Sequence, residues 1–249
     1  MKPNAIVPTW KKKQGGLIYL KKLGEGFFGE AHLVSFRGQL SVVKRVIDCD
    51  IDEFDRELYA MEDVRGEGGA PMVLASASEC DSPVLVMSYC PGRTLASMQD
   101  EHLSLAQWLQ VFVAVTESLV RVHARGVIHN DIHGRNIIIN EPRPGHYTAA
   151  IIDFGQAQPR QSSASPTNSV FSHSSFKEFF VVDDFFPAVH NDQSDVRYVA
   201  NLMQLTCLSL NPPSALKALL SQATHRDWEK RPSMVSFTSQ IKQILQDHT

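Results

Sequence analysis

Two aspartates, with an asparagine between them in the sequence, lie just after the middle of the chain. Asn136 lies five residues after Asp131, and Asp153 lies seventeen residues after that, behind the apolar pair Ile151-Ile152. Carboxylate and amide oxygens bind Mg²⁺ beside phosphate groups, and a further carboxylate can accept a proton from a hydroxyl. This set predicts phosphoryl transfer from a nucleotide, with Asp131 at the acceptor hydroxyl and Asn136 and Asp153 at the metal.

A glycine-rich segment near the start of the chain could cover the phosphates. Gly24, Gly26 and Gly29 form a Gly-x-Gly-x-x-Gly pattern between two predicted strands, Leu17–Leu23 and Glu30–Ser35. The same pattern opens dinucleotide-binding folds, but there a helix follows it. A strand follows it here, which favours a hairpin folded over a triphosphate, with glycines that let the backbone approach the phosphates.

A lysine and a glutamate could serve the same nucleotide. Lys44 lies in a predicted strand, Ser41–Val46, and an amphipathic helix is predicted over Ile51–Val64. A lysine at a strand end is commonly only solvated, so a phosphate-binding role requires a carboxylate that holds it. Glu57, beside the apolar stripe of the helix, resembles the glutamate that pairs with such a lysine in protein kinases, and Glu53 is the alternative.

The clearest predicted helix, Ser104–Arg125, precedes the first chemical motif directly. Its apolar residues recur at helical spacing, Ser104 and Gln107 form a capping box, and Gly126 ends it. We expect this helix to form a core that holds the following loop rigid. His129, on that loop, is interpreted as a packing residue that bonds nearby backbone.

The remaining segments follow from composition and turn residues. Predicted strands cover Met72–Ala77 and Val84–Met87, and a turn-rich hairpin over Asn140–Tyr147 leads to a strand over Thr148–Ile152. The stretch Gln156–Val182 holds seven serines and one threonine, which is typical of a mobile loop.

Taken together, these motifs resemble those of protein kinases, in that family's order and over nearly the whole chain, from Leu17 to Leu245. The matching segments are Gly24–Gly29, Lys44, Glu57, the catalytic-loop motif His129-x-Asp131 with Asn136, Asp153-Phe154-Gly155, Asp195 at the start of a helix, and Arg231-Pro232 before the last helix.

The resemblance implies a fold, a nucleotide and a set of contacts. The expected fold is α+β and two-lobed, with a flexible leader (1–16), a small β-rich N-lobe (17–87), a hinge (88–92) and a mainly helical C-lobe (93–249), so that the kinase domain is 17–247. The implied cofactors are ATP and Mg²⁺. The implied nucleotide contacts are Gly24, Gly26, Phe28, Gly29, Ala31, Val42, Lys44, Glu57, Met87, Ser88 and Cys90.

The chain departs from the family pattern in several places. Asn130 replaces the arginine that binds an activation-loop phosphate, so we expect activity without phosphorylation of that loop. The Ala-Pro-Glu motif is missing, which leaves the partner of Arg231 unknown and the peptide platform incomplete. His133 stands two residues after Asp131 in place of the lysine typical of Ser/Thr kinases, and Arg135 stands where many tyrosine kinases have an arginine.

Three functions are therefore considered. The first is a protein kinase acting on a protein hydroxyl, with serine or threonine favoured over tyrosine. The second is a small-molecule phosphotransferase, because His-x-Asp-x-His and the later Asn also resemble the aminoglycoside-kinase type. The third is a pseudokinase that uses the fold only as a binding module.

The composition limits the binding partners and the cellular compartment that we expect for this protein. A net charge of −3 gives no reason to expect nucleic acid or a membrane surface as partner. Four scattered cysteines favour a reducing compartment and argue against a zinc site. The sequence shows neither an apolar run of membrane-span length nor the apolar core of a secretion signal. We expect a monomeric intracellular protein, cytoplasmic or nuclear, or located in a host cell if its source is a virus or a bacterial effector.

Overall fold

The computed structural model describes residues 16–26, 29–46, 51–78, 83–160 and 191–248. The predicted leader up to residue 15, Phe28, and most of the predicted serine-rich loop (161–182) lie outside the described residues.

The first part of the chain forms one five-stranded antiparallel sheet with strand order β1-β2-β3-β5-β4. Its strands are β1 (Leu17–Gly26), β2 (Gly29–Phe36), β3 (Gln39–Val46), β4 (Val73–Ala77) and β5 (Val84–Ser88). Positive φ angles at Arg37 (52°) and Gly38 (82°) make the two-residue turn between β2 and β3, as the right-handed twist of a hairpin favours. Each predicted strand is present, and most are longer than predicted, because pairing continues to the turns themselves.

Helix α1 (Ile51–Val64) has the predicted bounds. Phe54, Met61 and Val64 of its apolar stripe are buried in the main core. Glu57 is buried with them, so the helix presents a carboxylate toward the interior of the protein.

The second part of the chain is mainly helical. Its helices are α2 (Leu105–Ala124), α3 (Asp192–Cys207), α4 (Ser214–Ala223) and α5 (Met234–Gln246). The capping box predicted for α2 is formed, because Ser104 and Gln107 exchange side-chain-to-backbone hydrogen bonds. Helix α2 is the central helix of this part, and it packs against both α3 and α5.

Short strands connect the two parts and support the loop after α2. They are β6 (Arg93–Thr94), β7 (Val127–Ile128), β8 (Ile137–Arg143), β9 (His146–Ile151) and β10 (Gln158–Pro159). The predicted turn-rich hairpin over Asn140–Tyr147 is wrong in its bounds. Strand β8 continues to Arg143 and β9 begins at His146, because cross-strand pairing with the other strand stabilises residues whose composition suggested a turn.

A loop after α1 ties the sheet to the helical part. Gly68 has a φ of 64°, and a Cβ there would lie 2.4 Å from the carbonyl oxygen of Ser118 in α2. The Ser118 hydroxyl donates a hydrogen bond to the Gly68 carbonyl. Only glycine permits this approach, so the two lobes share a close backbone contact.

The main cluster of buried apolar residues runs through both parts, from Val46 and Phe54 to Phe237 and Ile241. The antiparallel sheet of the first part and the helices of the second confirm the α+β, two-lobed fold predicted from the resemblance. None of the helices in the described ranges has both the length and the apolar character needed to span a membrane.

Candidate active site

A buried carboxylate, that of Asp195, holds the loop that follows β7. Asp195 of α3 accepts hydrogen bonds from the backbone N–H of His129 (3.0 Å) and of Asn130 (2.9 Å), and its Oδ2 lies 2.8 Å from Nε2 of His123. Burial by itself would raise the pKa of Asp195, but the hydrogen bond and charge of His123 outweigh it, so this pKa is lowered. Asp195 therefore stays ionised and positions the loop, whereas the cap of α3 is supplied by Asn191.

Asp131 and Asn136 meet on this loop. The Asn136 side-chain nitrogen donates to the Asp131 carboxylate at Oδ2 (2.9 Å) and to the Asp131 carbonyl (3.1 Å). His133 lies on the same side, with Nε2 3.4 Å from Asp131 Oδ2. The carboxylate thus faces an open region while its neighbours restrict its orientation.

The pairing of β8 with β9 brings Asp153 close to Asn136. Ile137 of β8 pairs with Ile151 of β9, and the N–H of Ile152 donates to the Asn136 carbonyl at 2.9 Å. Asn136 and Asp153 therefore flank one end of the hairpin. Asp153 has a φ of 65°, a strained conformation for a residue other than glycine and one that is common at functional sites.

The residues beside Asp153 are anchored by packing. Phe154 is fully buried, and its ring meets that of His129 edge-on, with centroids 4.9 Å apart. Nε2 of His129 lies 3.0 Å from the Ile152 carbonyl. This agrees with the predicted packing role of His129.

Lys44 joins the sheet to both acidic elements. Its ammonium lies 2.7 Å from Glu57 Oε2 and 2.7 Å from Asp153 Oδ1. Burial opposes the charge of Lys44, but the two carboxylates outweigh that effect and raise its pKa. Burial raises the pKa of Glu57, and the Lys44 cation opposes this. The alternative partner, Glu53, lies outside the described side chains.

Arg56 forms a contact that the sequence reasoning missed. Its guanidinium Nη1 donates to the Gly155 carbonyl at 3.1 Å, so α1 holds the segment after Asp153 directly. A basic residue next to Glu57 was the available signal, but an arginine on a helix surface is usually solvated. Together, Arg56 and Glu57 keep α1 and Asp153-Phe154-Gly155 in one arrangement.

The acidic and amide groups fit a magnesium ion. Both described hydrogen bonds of the Asn136 amide nitrogen go to Asp131, which leaves Oδ1 for a cation, and Lys44 contacts Oδ1 of Asp153, which leaves Oδ2. Hard oxygen donors of this kind suit Mg²⁺ shared with phosphate oxygens. Clusters of three or more His, Cys, Asp or Glu side chains able to bind a metal without a nucleotide are absent from the described part of the chain.

Apart from Glu57 of α1 and Phe28, which lies outside the described residues, the predicted nucleotide contacts lie on the sheet and in the segment just after β5. Gly24 and Gly26 lie in β1, Gly29 begins β2, Ala31 pairs with Lys44, and Val42 pairs with the buried Met87 of β5. Ser88, predicted as the first hinge residue, still belongs to β5. These residues are brought to one sheet, which the ion pair of Lys44 with Asp153 joins to the acidic segment.

Cys90 is a partly buried free thiol just after β5. Its Sγ donates to the Gly69 carbonyl at 3.5 Å, and burial raises its pKa to about 11. The thiol therefore stays protonated at neutral pH, as expected for an inert, partly buried cysteine.

Arg231, whose partner the sequence left open, binds main-chain carbonyls. It donates to the carbonyls of His225 (2.7 Å), Gln193 (3.2 Å) and Arg226 (3.1 Å), and so joins the start of α3 to the turn before α5. Burial, and then the charge of Arg197, lowers its pKa to about 10. In the described residues, carbonyl oxygens thus satisfy this guanidinium without a carboxylate.

Asn130 is satisfied by its neighbours in a similar way. Its Nδ2 donates to the Gln156 carbonyl at 3.4 Å, and its Oδ1 accepts from the Ser194 hydroxyl at 3.2 Å. A neutral amide with these partners needs no phosphate to compensate a charge.

Comparison with known proteins agrees with this arrangement. The family described as the protein kinase domain matches residues 17–177. The tyrosine-protein kinase Srms of Mus musculus is 27% identical over 61% of this chain and 31% of its own length. A probable serine/threonine-protein kinase of Dictyostelium discoideum is 24% identical over 90% of this chain and 27% of its own length. The probable serine/threonine-protein kinase PkwA of Thermomonospora curvata is 31% identical over 58% of this chain and 20% of its own length.

The chain thus covers less than a third of the length of each of these three relatives. The family match itself extends over more than half of the chain. It includes the glycine-rich hairpin, Lys44, Glu57 and both acidic motifs. On this match and on its two-lobed fold, the chain belongs to the protein kinase family.

Proposed function

We propose that this chain is an ATP- and Mg²⁺-dependent protein kinase that transfers the γ-phosphate to a serine or threonine hydroxyl of a protein substrate. The observation that carries the proposal is the position of the Lys44 ammonium, 2.7 Å from both Glu57 and Asp153. A cation held in this way is oriented for phosphates, and the helix, sheet and metal-binding segment that it joins are already assembled. The domain proposed for this activity is 17–247.

The proposed mechanism relies on positioning and charge. Lys44 binds the α- and β-phosphates, and Glu57 keeps its ammonium in place. Asp131 orients the acceptor hydroxyl and takes its proton as the oxygen attacks the γ-phosphorus. Asn136 and Asp153 would hold Mg²⁺, which when bound neutralises negative charge on the phosphates.

Activity without phosphorylation of the loop before α3 is part of the proposal. The hydrogen bonds of Asn130 to Gln156 and Ser194, and that of Arg56 to Gly155, support it. These contacts hold the loop of Asp131 and the segment of Asp153 without an added negative charge. The serines and the threonine of the predicted loop lie outside the described residues.

The test uses phosphatase-treated protein, labelled Mg-ATP, and separate acceptors that offer serine and threonine or tyrosine alone. We expect transfer to serine or threonine. Asp131→Asn should reduce the rate by a factor on the order of 10²–10⁴ while Mg²⁺-dependent nucleotide binding, followed by thermal shift, is retained. Asp153→Asn should abolish both.

The other functions give different outcomes in the same experiment. Nucleotide binding without transfer to any acceptor would identify a pseudokinase. Labelling of small molecules in a metabolite mixture, but of no protein, would identify a small-molecule phosphotransferase. Equal loss of nucleotide binding in Asp131→Asn and Asp153→Asn would contradict the separate roles given to these two carboxylates.

A further inference from the structure

His133 lies at the open side of the catalytic loop, next to Asp131. The two side chains are about equally exposed, 25% for His133 and 24% for Asp131, and Nε2 lies 3.4 Å from Asp131 Oδ2. This separation is somewhat longer than an ordinary hydrogen bond, and hydrogen bonds at catalytic sites commonly shorten when substrate binds.

The backbone selects which imidazole nitrogen carries the proton. The N–H of Arg135 donates to Nδ1 of His133 at 3.3 Å. In a neutral imidazole one nitrogen accepts and the other donates, so acceptance at Nδ1 leaves the hydrogen on Nε2. That hydrogen is the one nearest to Asp131 Oδ2.

The loop is also held by a close contact next to His133. Gly134 packs against Ala96, whose N–H donates to the Gly134 carbonyl at 2.8 Å, and a Cβ at Gly134 would lie 3.0 Å from that nitrogen. The backbone that follows His133 is therefore held at Gly134, and the N–H of Arg135 contacts the imidazole itself.

Two side-chain nitrogens beside Asp131 approach the same carboxylate oxygen. Asn136 Nδ2 is 2.9 Å from Oδ2, and Nε2 of His133 approaches that oxygen as well. The terminal torsion of an aspartate is soft and nearly two-fold, so donors on one oxygen decide which oxygen points to the open site. Here Oδ1 is the oxygen that remains for an acceptor.

We propose that His133 is a positioning residue that acts through Asp131, donating its Nε2 hydrogen to Oδ2 and thereby reserving Oδ1 as the base. In the step it supports, the acceptor oxygen bonds to the γ-phosphorus and the bond from that phosphorus to the bridging oxygen breaks. ADP leaves with that bond's electron pair, and the hydroxyl proton moves to Oδ1. This inference rests on the proposed function, and it assigns to the position a neutral hydrogen-bond donor and not a fixed cation.

Two substitutions that differ by one methylene separate this role from a structural one. In His133→Gln the amide nitrogen can reach the place of Nε2 and donate to Asp131, but the acceptor for the Arg135 N–H is lost. In His133→Asn the amide oxygen can take the place of Nδ1 and accept from Arg135, but no donor reaches Asp131. A role in holding the loop predicts that Asn succeeds and Gln fails, and the positioning role predicts the reverse.

We expect His133→Asn to lower kcat by about 10- to 100-fold with a KM for ATP within about twofold of that of the wild type, because misplacement of a catalytic group costs rate and not nucleotide binding. His133→Gln should keep kcat within about threefold of the wild type. The proposal is overturned if kcat falls in both variants, in neither of them, or in His133→Gln alone.

A second measurement does not depend on turnover. The ¹⁵N signals of the His133 imidazole, assigned by their absence from His133→Gln, should show a protonated Nε2 and an unprotonated Nδ1, and the Nε2 signal should shift in Asp131→Asn. A proton on Nδ1, or no shift, overturns the proposal even if the wild-type protein transfers no phosphate. A wild type without transfer whose His133 signals are as expected contradicts the proposed function and supports the contact.

Discussion

Replacing Lys44 by methionine should destabilise the protein in a way that depends on pH. The substitution removes the ammonium that lies 2.7 Å from Glu57 and 2.7 Å from Asp153, and it leaves two carboxylates facing a methyl group. The loss of the cation does not cost the two carboxylates the same free energy, because the side chain of Glu57 is 3% exposed and that of Asp153 is 40% exposed. Water screens Asp153, so the loss should come almost entirely from Glu57.

The size of the loss has an upper bound set by proton uptake. A buried carboxylate without its partner costs about 3–5 kcal/mol, but it can instead become protonated. Protonating a group with an ordinary pKa of about 4.3 at pH 7 costs about 3.7 kcal/mol. We therefore expect Lys44→Met to lower the free energy of unfolding by about 3–4 kcal/mol at pH 7 while the protein remains folded and loses phosphoryl transfer.

Lowering the pH should restore most of this loss. In the variant the pKa of Glu57 is higher in the folded than in the unfolded state, so folding takes up a proton, and stability increases as the pH falls toward the unfolded pKa. Between pH 7 and pH 5 the deficit should shrink by at most about 2.7 kcal/mol, two pH units at about 1.36 kcal/mol each, because burial also raises the pKa of Glu57 in the wild type. Urea unfolding followed by tryptophan fluorescence at both pH values measures this difference.

The double variant Lys44→Met/Glu57→Gln is the matched control. Without the stranded carboxylate, its deficit relative to the wild type should not shrink between pH 7 and pH 5. A Lys44→Met deficit that does not change between the two pH values would refute the reasoning, because Glu57 would then not be the group that loses its partner.

Two further predictions concern the support of the site. Asp195→Asn should reduce stability by about 2–4 kcal/mol and lower kcat, because it weakens hydrogen bonds to a buried charge from His123 and from the catalytic-loop backbone. The pKa of Asp195 is lowered in the folded protein, so the wild type should lose its extra stability only as the pH falls below the usual aspartate value of 3.8. Urea unfolding of both proteins measures this difference. A difference that stays constant down to pH 2 would contradict the role of Asp195 as a buried charge. Gly68→Ala should destabilise by more than about 1 kcal/mol, measured in the same way, because its Cβ would meet the Ser118 carbonyl at 2.4 Å. Gly145→Ala, with a φ of 74° and no atom within 4 Å of a Cβ, is the control for backbone strain alone, and equal losses at both glycines would refute the clash.

Local patterns predicted the elements that carry the motifs. The bounds of α1 and α2 follow from apolar spacing and capping, which are properties of neighbouring residues, and they agree with the structure. The two-lobed arrangement was predicted from the resemblance to protein kinases, which rests on the order of these motifs. The bounds predicted for the turn-rich hairpin, Asn140–Tyr147, and for the strand after it, Thr148–Ile152, were wrong because pairing of β8 with β9 outweighed turn-forming composition.

Contacts between distant segments were decided by the tertiary structure. The sequence suggested Glu57 for Lys44 and Asp195 for the catalytic loop only through resemblance to a family. It gave no indication that Arg56 binds the Gly155 carbonyl or that Arg231 is satisfied by carbonyls. A backbone carbonyl is present at every residue, so residue type cannot reveal which one a side chain will reach.

By itself, the sequence determined which groups are available for chemistry and which segments are helical or extended, because residue type and spacing act locally. The tertiary structure decided which oxygen each group leaves open. Asp131, Asn136 and Asp153 each have one atom committed to a neighbour, and these neighbours come from the same loop, from β3 and from the pairing of β8 with β9. That division depends on distances of about 3 Å between residues up to 109 positions apart, and only the packed core sets such distances.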